Sequence, residues 1–230
     1  MTDGRAPAET VRADDVAVAH TPPGGYGAAT FTNNLAGTAV LGGALGDGTS
    51  LGSQSAPISQ DGLVPVYVPL YSGQGSVFGW LAFSNLPPKT VSGDLTWFKL
   101  SGPAKSLYSN GFAIQTNIIG SVYVPSATNI LALTNGTLTI TDPGQGIDLV
   151  YTNVTVASNK LTYTAPPTNQ LIVTFTPASG TMTVSFRPTG AKANITAQGV
   201  LLQDALADPS LKAAGWFIGA NQTGYFILTH

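Results

Sequence analysis

The 230-residue chain contains no cysteine. Disulfides, thiolate metal sites and a cysteine nucleophile are therefore excluded. Charge is scarce too: Asp, Glu, Lys and Arg make up 9% of the residues, against about 25% in an ordinary soluble protein. Nine basic and eleven acidic residues leave a formal charge of −2. They form no basic stripe, so nucleic acid is not an expected partner. No apolar run approaches the roughly 18 residues of a membrane-crossing helix, and no membrane span is expected. Residues 1–19 lack a basic start followed by an apolar core. The chain thus reads as a mature or excised form, or as one not exported by that route. Histidine occurs only at His20 and His230, and Glu9 is the sole glutamate. A Ser-His-Asp arrangement needs a positioned histidine, and there is no G-x-S-x-G elbow.

What remains is rich in Thr, Ser, Asn, Gly and β-branched residues, with 43% hydrophobic residues overall. Low charge with this composition fits a β protein with hydroxyl-rich outer faces, not a disordered chain. The stretch 64–100 (VPVYVPLYSGQGSVFGWLAFSNLPPKTVSGDLTWFKL) holds two of the three tryptophans. It reads as three strands, at 64–70, 76–84 and 94–100. In the middle one, Val77, Leu81 and Phe83 fall on one face and Phe78, Trp80 and Ala82 on the other. A strand apolar on both sides is expected to be covered on both sides.

Strand and tight turn alternate along most of the chain, the pattern of an antiparallel meander. Before the central stretch come strands at 26–32, 37–45 and 49–58, with Gly46-Asp47-Gly48 as a hairpin turn. Residues 102–125 change character. Loop signals flank Leu107 and Tyr108, and a short strand is expected at 118–124. Asn135-Gly136, between strands at 130–134 and 137–141, is the strongest hairpin signal in the chain. Further strands are expected at 149–157, 161–164, 171–176, 182–187, 195–202, 216–218 and 225–228. One helical turn is expected at 206–214, started by Asp208-Pro209 and stopped by Gly215. The expected fold is all-β: an antiparallel meander forming a barrel or sandwich of a dozen or more strands, with at most one short helix. Residues 24–230 read as one domain, with a sub-boundary near 101–129. Residues 1–23 read as an arm, and Val16, Ala17 and Val18 form an apolar segment able to pair with a sheet edge.

Candidates for chemistry are few. After the arm the acidic residues are Asp47, Asp61, Asp94, Asp142, Asp148, Asp204 and Asp208. Most sit at turns, where Asp bonds nearby backbone. Asp14-Asp15 and the Asp142–Asp148 pair are the only calcium candidates, and neither matches a loop signature. Gly73-Gln74-Gly75 and Gly46-Asp47-Gly48 are too short for a phosphate loop. Asn135, Asn153, Asn194 and Asn221 lie in N-x-[ST] triplets, which arise by chance in a chain this rich in Asn and Thr. No catalytic residue, cofactor or metal site is expected. The aromatics Tyr67, Tyr71, Trp80, Trp97 and Tyr108 are the candidates for ligand or interface contact.

Several segments resemble a known pattern: 42–49 (GGALGDGT), Ser55-Ala56-Pro57-Ile58, 65–83 (PVYVPLYSGQGSVFGWLAF), Thr96-Trp97, Asn110-Gly111-Phe112 and 215–224 (GWFIGANQTG). Together they are similar to a recurring C-terminal β domain of large exported surface proteins of verrucomicrobial and planctomycete-type bacteria. The resemblance covers about residues 22–230. It implies a β fold and an extracellular or cell-surface location, and no particular activity. The expectation is a non-enzymatic exported structural protein that self-associates through its arm. The alternative is an adhesion module that binds glycans or proteins through exposed aromatics.

Overall fold

The computed structural model describes residues 21–84, 89–164, 170–204 and 208–230. Among these the chain is all-β, with fifteen strands and a single short 3-10 turn, Tyr71–Gly73. Every strand pairing is antiparallel.

The first seven strands make two small sheets. Strands β1 (Ala28–Asn33), β2 (Thr38–Ala44) and β3 (Ser50–Pro57) form one. Strands β4 (Leu63–Leu70), β5 (Gly75–Phe83), β6 (Thr90–Lys99) and β7 (Phe112–Ser121) form the other, in sequence order. Strict alternation in β4 turns Val64, Val66, Val68 and Leu70 inward. Val66, Val68 and Leu70 pack with Leu41 and Leu51 of the first sheet and with Val77, Leu81, Leu95, Trp97 and Phe112 of their own. Phe31 meets Phe83 edge to face with the centroids 5.5 Å apart, inside the roughly 4.5–7 Å range of such pairs. The result is a sandwich.

The other eight strands are β8 (Leu133–Asp142), β9 (Ile147–Ala157), β10 (Lys160–Thr162), β11 (Leu171–Thr176), β12 (Thr181–Phe186), β13 (Ile195–Leu201), β14 (Leu211–Ile218) and β15 (Thr223–Thr229). They form one sheet in the order β10-β9-β8-β15-β14-β13-β12-β11. Its end strands β10 and β11 come close without pairing, so the sheet is a nearly closed barrel. A second core fills it, with Leu138, Ile140, Tyr151, Val184, Phe186, Phe217, Phe226 and Leu228 buried.

The two cores meet at few points. Trp216 sits on the outer side of the barrel, yet it is buried. It lies where any side chain on Gly25 or Gly48 would stand, so glycines let the sandwich approach the indole. The Tyr108 hydroxyl accepts the Thr223 N–H at 2.8 Å and lies 2.9 Å from Thr223 Oγ1. The connecting segment is pinned by side chains. Asn159 Oδ1 accepts the Ile130 N–H, and its amide donates to the carbonyls of Ser126 and Ala127. Gln203 accepts the Val124 N–H and donates to the carbonyls of Val124 and Ile130.

Four expectations are corrected. Asn135-Gly136 is not a hairpin turn but part of β8. Asn135 takes φ 57, and the register shifts there and again opposite Asn153, which takes φ 53. Each is a bulge that re-phases the alternation, so Leu133 and Gly136 both face inward, as do Tyr151 and Val154. The helical turn at 206–214 gives way to strand from Leu211 onward. Asp208 closes a local turn by accepting the Ser210 N–H, and β14 then pairs on both sides, which outweighs the helix preference of Leu-Lys-Ala-Ala. The strand expected at 118–124 begins earlier, at Phe112, and ends at Ser121. Finally, β5 is covered on one face only; Phe78 and Trp80 face outward and are exposed.

Candidate functional site

That uncovered face is the candidate site. Cross-strand register places Pro65, Trp80, Asp94 and Asn117 in one row across β4–β7. Tyr67, Phe78, Thr96 and Gln115 form the next row. The rows are two residues apart along each strand, roughly 7 Å. Tyr67 is 67% exposed, Trp80 58% and Phe78 41%. Phe78 and Trp80 border a shallow groove of about 400 Å³ whose other walls include Pro65, Asp94, Thr96 and Gln115. Apolar surface on three rings is therefore interleaved with two amides, a hydroxyl and one carboxylate. The two rows carry no basic side chain.

The aromatics expected to act together separate into two sets. Tyr67 and Trp80 share the open face. Trp97 is 4% exposed and belongs to the sandwich core, where it meets Phe112 edge to face at 4.8 Å. Burial removes it from any ligand contact. Tyr71 and Tyr108 are half-buried and serve as internal ties. Phe78 and Gln115 were not among the sequence candidates, and Asp94 stood there only among the carboxylates, not as a ligand contact. Phe78 shares the parity of Trp80 in β5, which is the signal that points to it. Val16, Ala17 and Val18 lie outside the described residues, as do His20 and the Asp14-Asp15 pair.

Tyr71 shows why the tie is structural. It and Ser72 hold the left-handed backbone conformation, with φ 54 and 56. For non-glycine residues that costs about 1–2 kcal/mol each. The Tyr71 hydroxyl donates to Asp47 Oδ2 at 2.6 Å and accepts the Trp97 indole N–H at 3.1 Å. Asp47 also accepts the backbone N–H and the hydroxyl of Thr49, both at 2.9 Å. The network clamps the β2–β3 turn, the β4–β5 turn and β6 together. Burial, then the hydrogen bond and charge of Asp47, push the Tyr71 phenol well above its ordinary value. It stays a protonated donor, not an acid–base group.

A pH prediction follows from this. The unfolded chain releases phenolic protons near pH 10, whereas the folded state holds the Tyr71 proton to higher pH. Above pH 10 the unfolded state binds fewer protons, so stability falls as pH rises. Burial raises Tyr151 in the same direction. Urea unfolding is expected to give a constant midpoint from pH 8 to 9.5 and a falling one above pH 10. Tyr71→Phe should make that fall shallower; an unchanged slope would show that Tyr71 titrates normally.

The remaining carboxylates with described contacts are held in turns. Asp47, Asp142 and Asp208 each accept the backbone N–H of the residue two positions on, Thr49, Gly144 and Ser210. Among the described residues no three His, Cys, Asp or Glu come together as a metal site. Among the same residues no helix is long and apolar enough to cross a membrane. No protein-family model matches the chain, and no curated protein or solved structure matches it either.

Proposed function

We propose that this chain is a non-enzymatic β module that binds neutral glycan chains on the open β4–β7 face. The observation that carries the proposal is the exposed trio Tyr67, Phe78 and Trp80 set among polar side chains in two cross-strand rows. Sugar rings have apolar C–H faces and hydroxyl rims. Flat aromatic surface suits the faces, while Asp94, Thr96, Gln115 and Asn117 suit the rims. A single carboxylate and no cation in these rows favours neutral over acidic sugars. Two stacked rows suit an extended chain better than a single monosaccharide. An extracellular setting is supported by the sequence resemblance given above and suits such a ligand.

A glycan array, followed by calorimetry on the best hit, tests the reading. Trp80→Ala is expected to weaken binding by about 30-fold, the loss of a typical hot-spot aromatic of about 2 kcal/mol. Its melting temperature should stay within about 2 °C of wild type, since surface changes away from packing are nearly neutral. Binding should be insensitive to salt, because no charge pairing is involved. An empty array, or full affinity in a Tyr67→Ala/Trp80→Ala variant, would overturn the proposal. Self-association through this face would appear as a concentration-dependent mass lost in the same variant.

A further inference from the structure

The groove on the open face has a direction. Its walls are Pro65, Trp80 and Asp94 on one side and Phe78, Thr96 and Gln115 on the other. Each wall belongs to one of the two cross-strand rows. Its floor is Val66, Gly79 and Leu95, the residues that lie between the rows on β4, β5 and β6. The groove therefore runs across the strands, not along them. From β4 to β7 it crosses strand spacings that add to about 14 Å.

On β5 both walls are aromatic. Phe78 and Trp80 leave the same side of the strand two residues apart, so their stems stand roughly 7 Å from each other. Both rings are exposed, and no ring contact joins them. A flat ring held between two others needs a van der Waals contact of about 3.5–4.0 Å on each side. The stem spacing meets that need with a slight splay of the two rings. On β6 the same positions carry Asp94 and Thr96, and Gln115 follows on β7. The groove is thus apolar on both walls at β5 and polar on both walls at β6.

Resting on the glycan reading above, we infer that the sugar chain lies in this groove with one ring clamped between Phe78 and Trp80. The clamp selects β-linked pyranoses whose ring hydroxyls are all equatorial. A single aromatic platform touches one face of a sugar; a clamp touches both. Rings of the glucose or xylose type show only C–H groups on both faces. A mannose or galactose ring has an axial hydroxyl on one face. That hydroxyl would be pressed against Phe78 or Trp80 with no hydrogen-bond partner, which is costly. Equatorial linkages lie near the ring plane and continue the chain along the groove, whereas an axial linkage would turn it into a wall. The next ring then meets Asp94, an acceptor, and Thr96, a donor and acceptor. These two side chains and Gln115 read its hydroxyls.

Calorimetry on the full chain tests this with tetrasaccharides of β-linked glucose, xylose and mannose. The glucose and xylose chains are expected to bind, and the mannose chain to bind about tenfold or more weaker. Phe78→Ala and Trp80→Ala should each weaken the glucose chain. Each should also bring the glucose and mannose affinities toward parity, since one wall of the clamp is gone. Full affinity and selectivity in Phe78→Ala would leave a one-sided platform and overturn the clamp. Equal or tighter binding of the mannose chain by the wild type would overturn it as well. If only glycans with axial hydroxyls bind the array, and Trp80→Ala weakens them, the clamp falls while the glycan reading stands. An empty array ends both.

Discussion

Gly215→Val is expected to abolish the folded barrel. Gly215 of β14 faces inward and stands opposite Gly199 of β13 on one side and Phe226 of β15 on the other. A Cβ at Gly215 would overlap the Gln198 carbonyl oxygen and Phe226 Cε1. At Gly199 it would overlap the Ala214 carbonyl and come within 2.6 Å of Phe226 Cζ. The Phe226 ring thus lies across two paired glycines and fills the space their missing side chains leave. An aromatic laid over strand glycines restores packing that glycine alone would forfeit. Valine would evict the ring and strain the ladder, two costs that act together. Phe226→Ala removes the ring alone and should cost about 3–5 kcal/mol. Gly215→Val should exceed that and yield insoluble or barrel-unfolded protein, read by circular dichroism and by loss of slow amide exchange in β13–β15. A soluble Gly215→Val variant with a near-native melting temperature would refute this account.

Much of the fold was written in local signals. The alternation in Val64-Pro65-Val66-Tyr67-Val68-Pro69-Leu70 marks β4, its buried face and, through its prolines, its place at an edge. Met182, Val184 and Phe186 mark the inner face of β12 in the same way. What local signals misread were places where long-range packing redefines them. Asn135-Gly136 has the backbone freedom of a hairpin turn, but in β8 that freedom serves a bulge that shifts the inward parity by one residue. Leu211 to Ala214 carry helix-forming side chains, but the empty slot between β13 and β15 takes them as strand.

The candidate site was only half legible. Tyr67 and Trp80 were in view because aromatics in strands are few. Which aromatics share a face depends on strand parity, and which face stays open depends on where the other sheet packs. The β1–β3 sheet covers the Trp97 side through Leu41 and Leu51, and nothing among the described residues does the same over Trp80. Parity alone would have joined Phe78 to Trp80. Only the packing separates Trp97, a core residue, from Trp80, a surface one.

Asp142 tests a different kind of dependence. It is fully buried, at the end of β8, with no cation beside it in the contacts described. Three neutral donors satisfy it instead. Oδ1 accepts the Gly144 N–H at 2.9 Å and the Gln222 side-chain amide at 3.1 Å, and Oδ2 accepts the Gln145 amide at 2.7 Å. The carboxylate thereby joins the β8–β9 turn to the β14–β15 turn at one end of the barrel. Gly219 is required there, since a Cβ would collide with Asp142 Oδ2 and the Gln145 amide. Asp142→Ala would leave three donors facing a void. Each buried donor left without a partner costs about 1–3 kcal/mol, and water entering the gap would offset part of the sum. A net loss of about 3 kcal/mol is expected, or roughly 6–12 °C in melting temperature for a chain of this size. Asp142→Asn keeps the Oδ1 acceptor for Gly144 and Gln222, and a flip of the Gln145 amide can receive the new N–H. It should cost less than half as much. Equal losses for the two variants in denaturant titrations would mean that negative charge, not hydrogen-bond geometry, is what the two turns require.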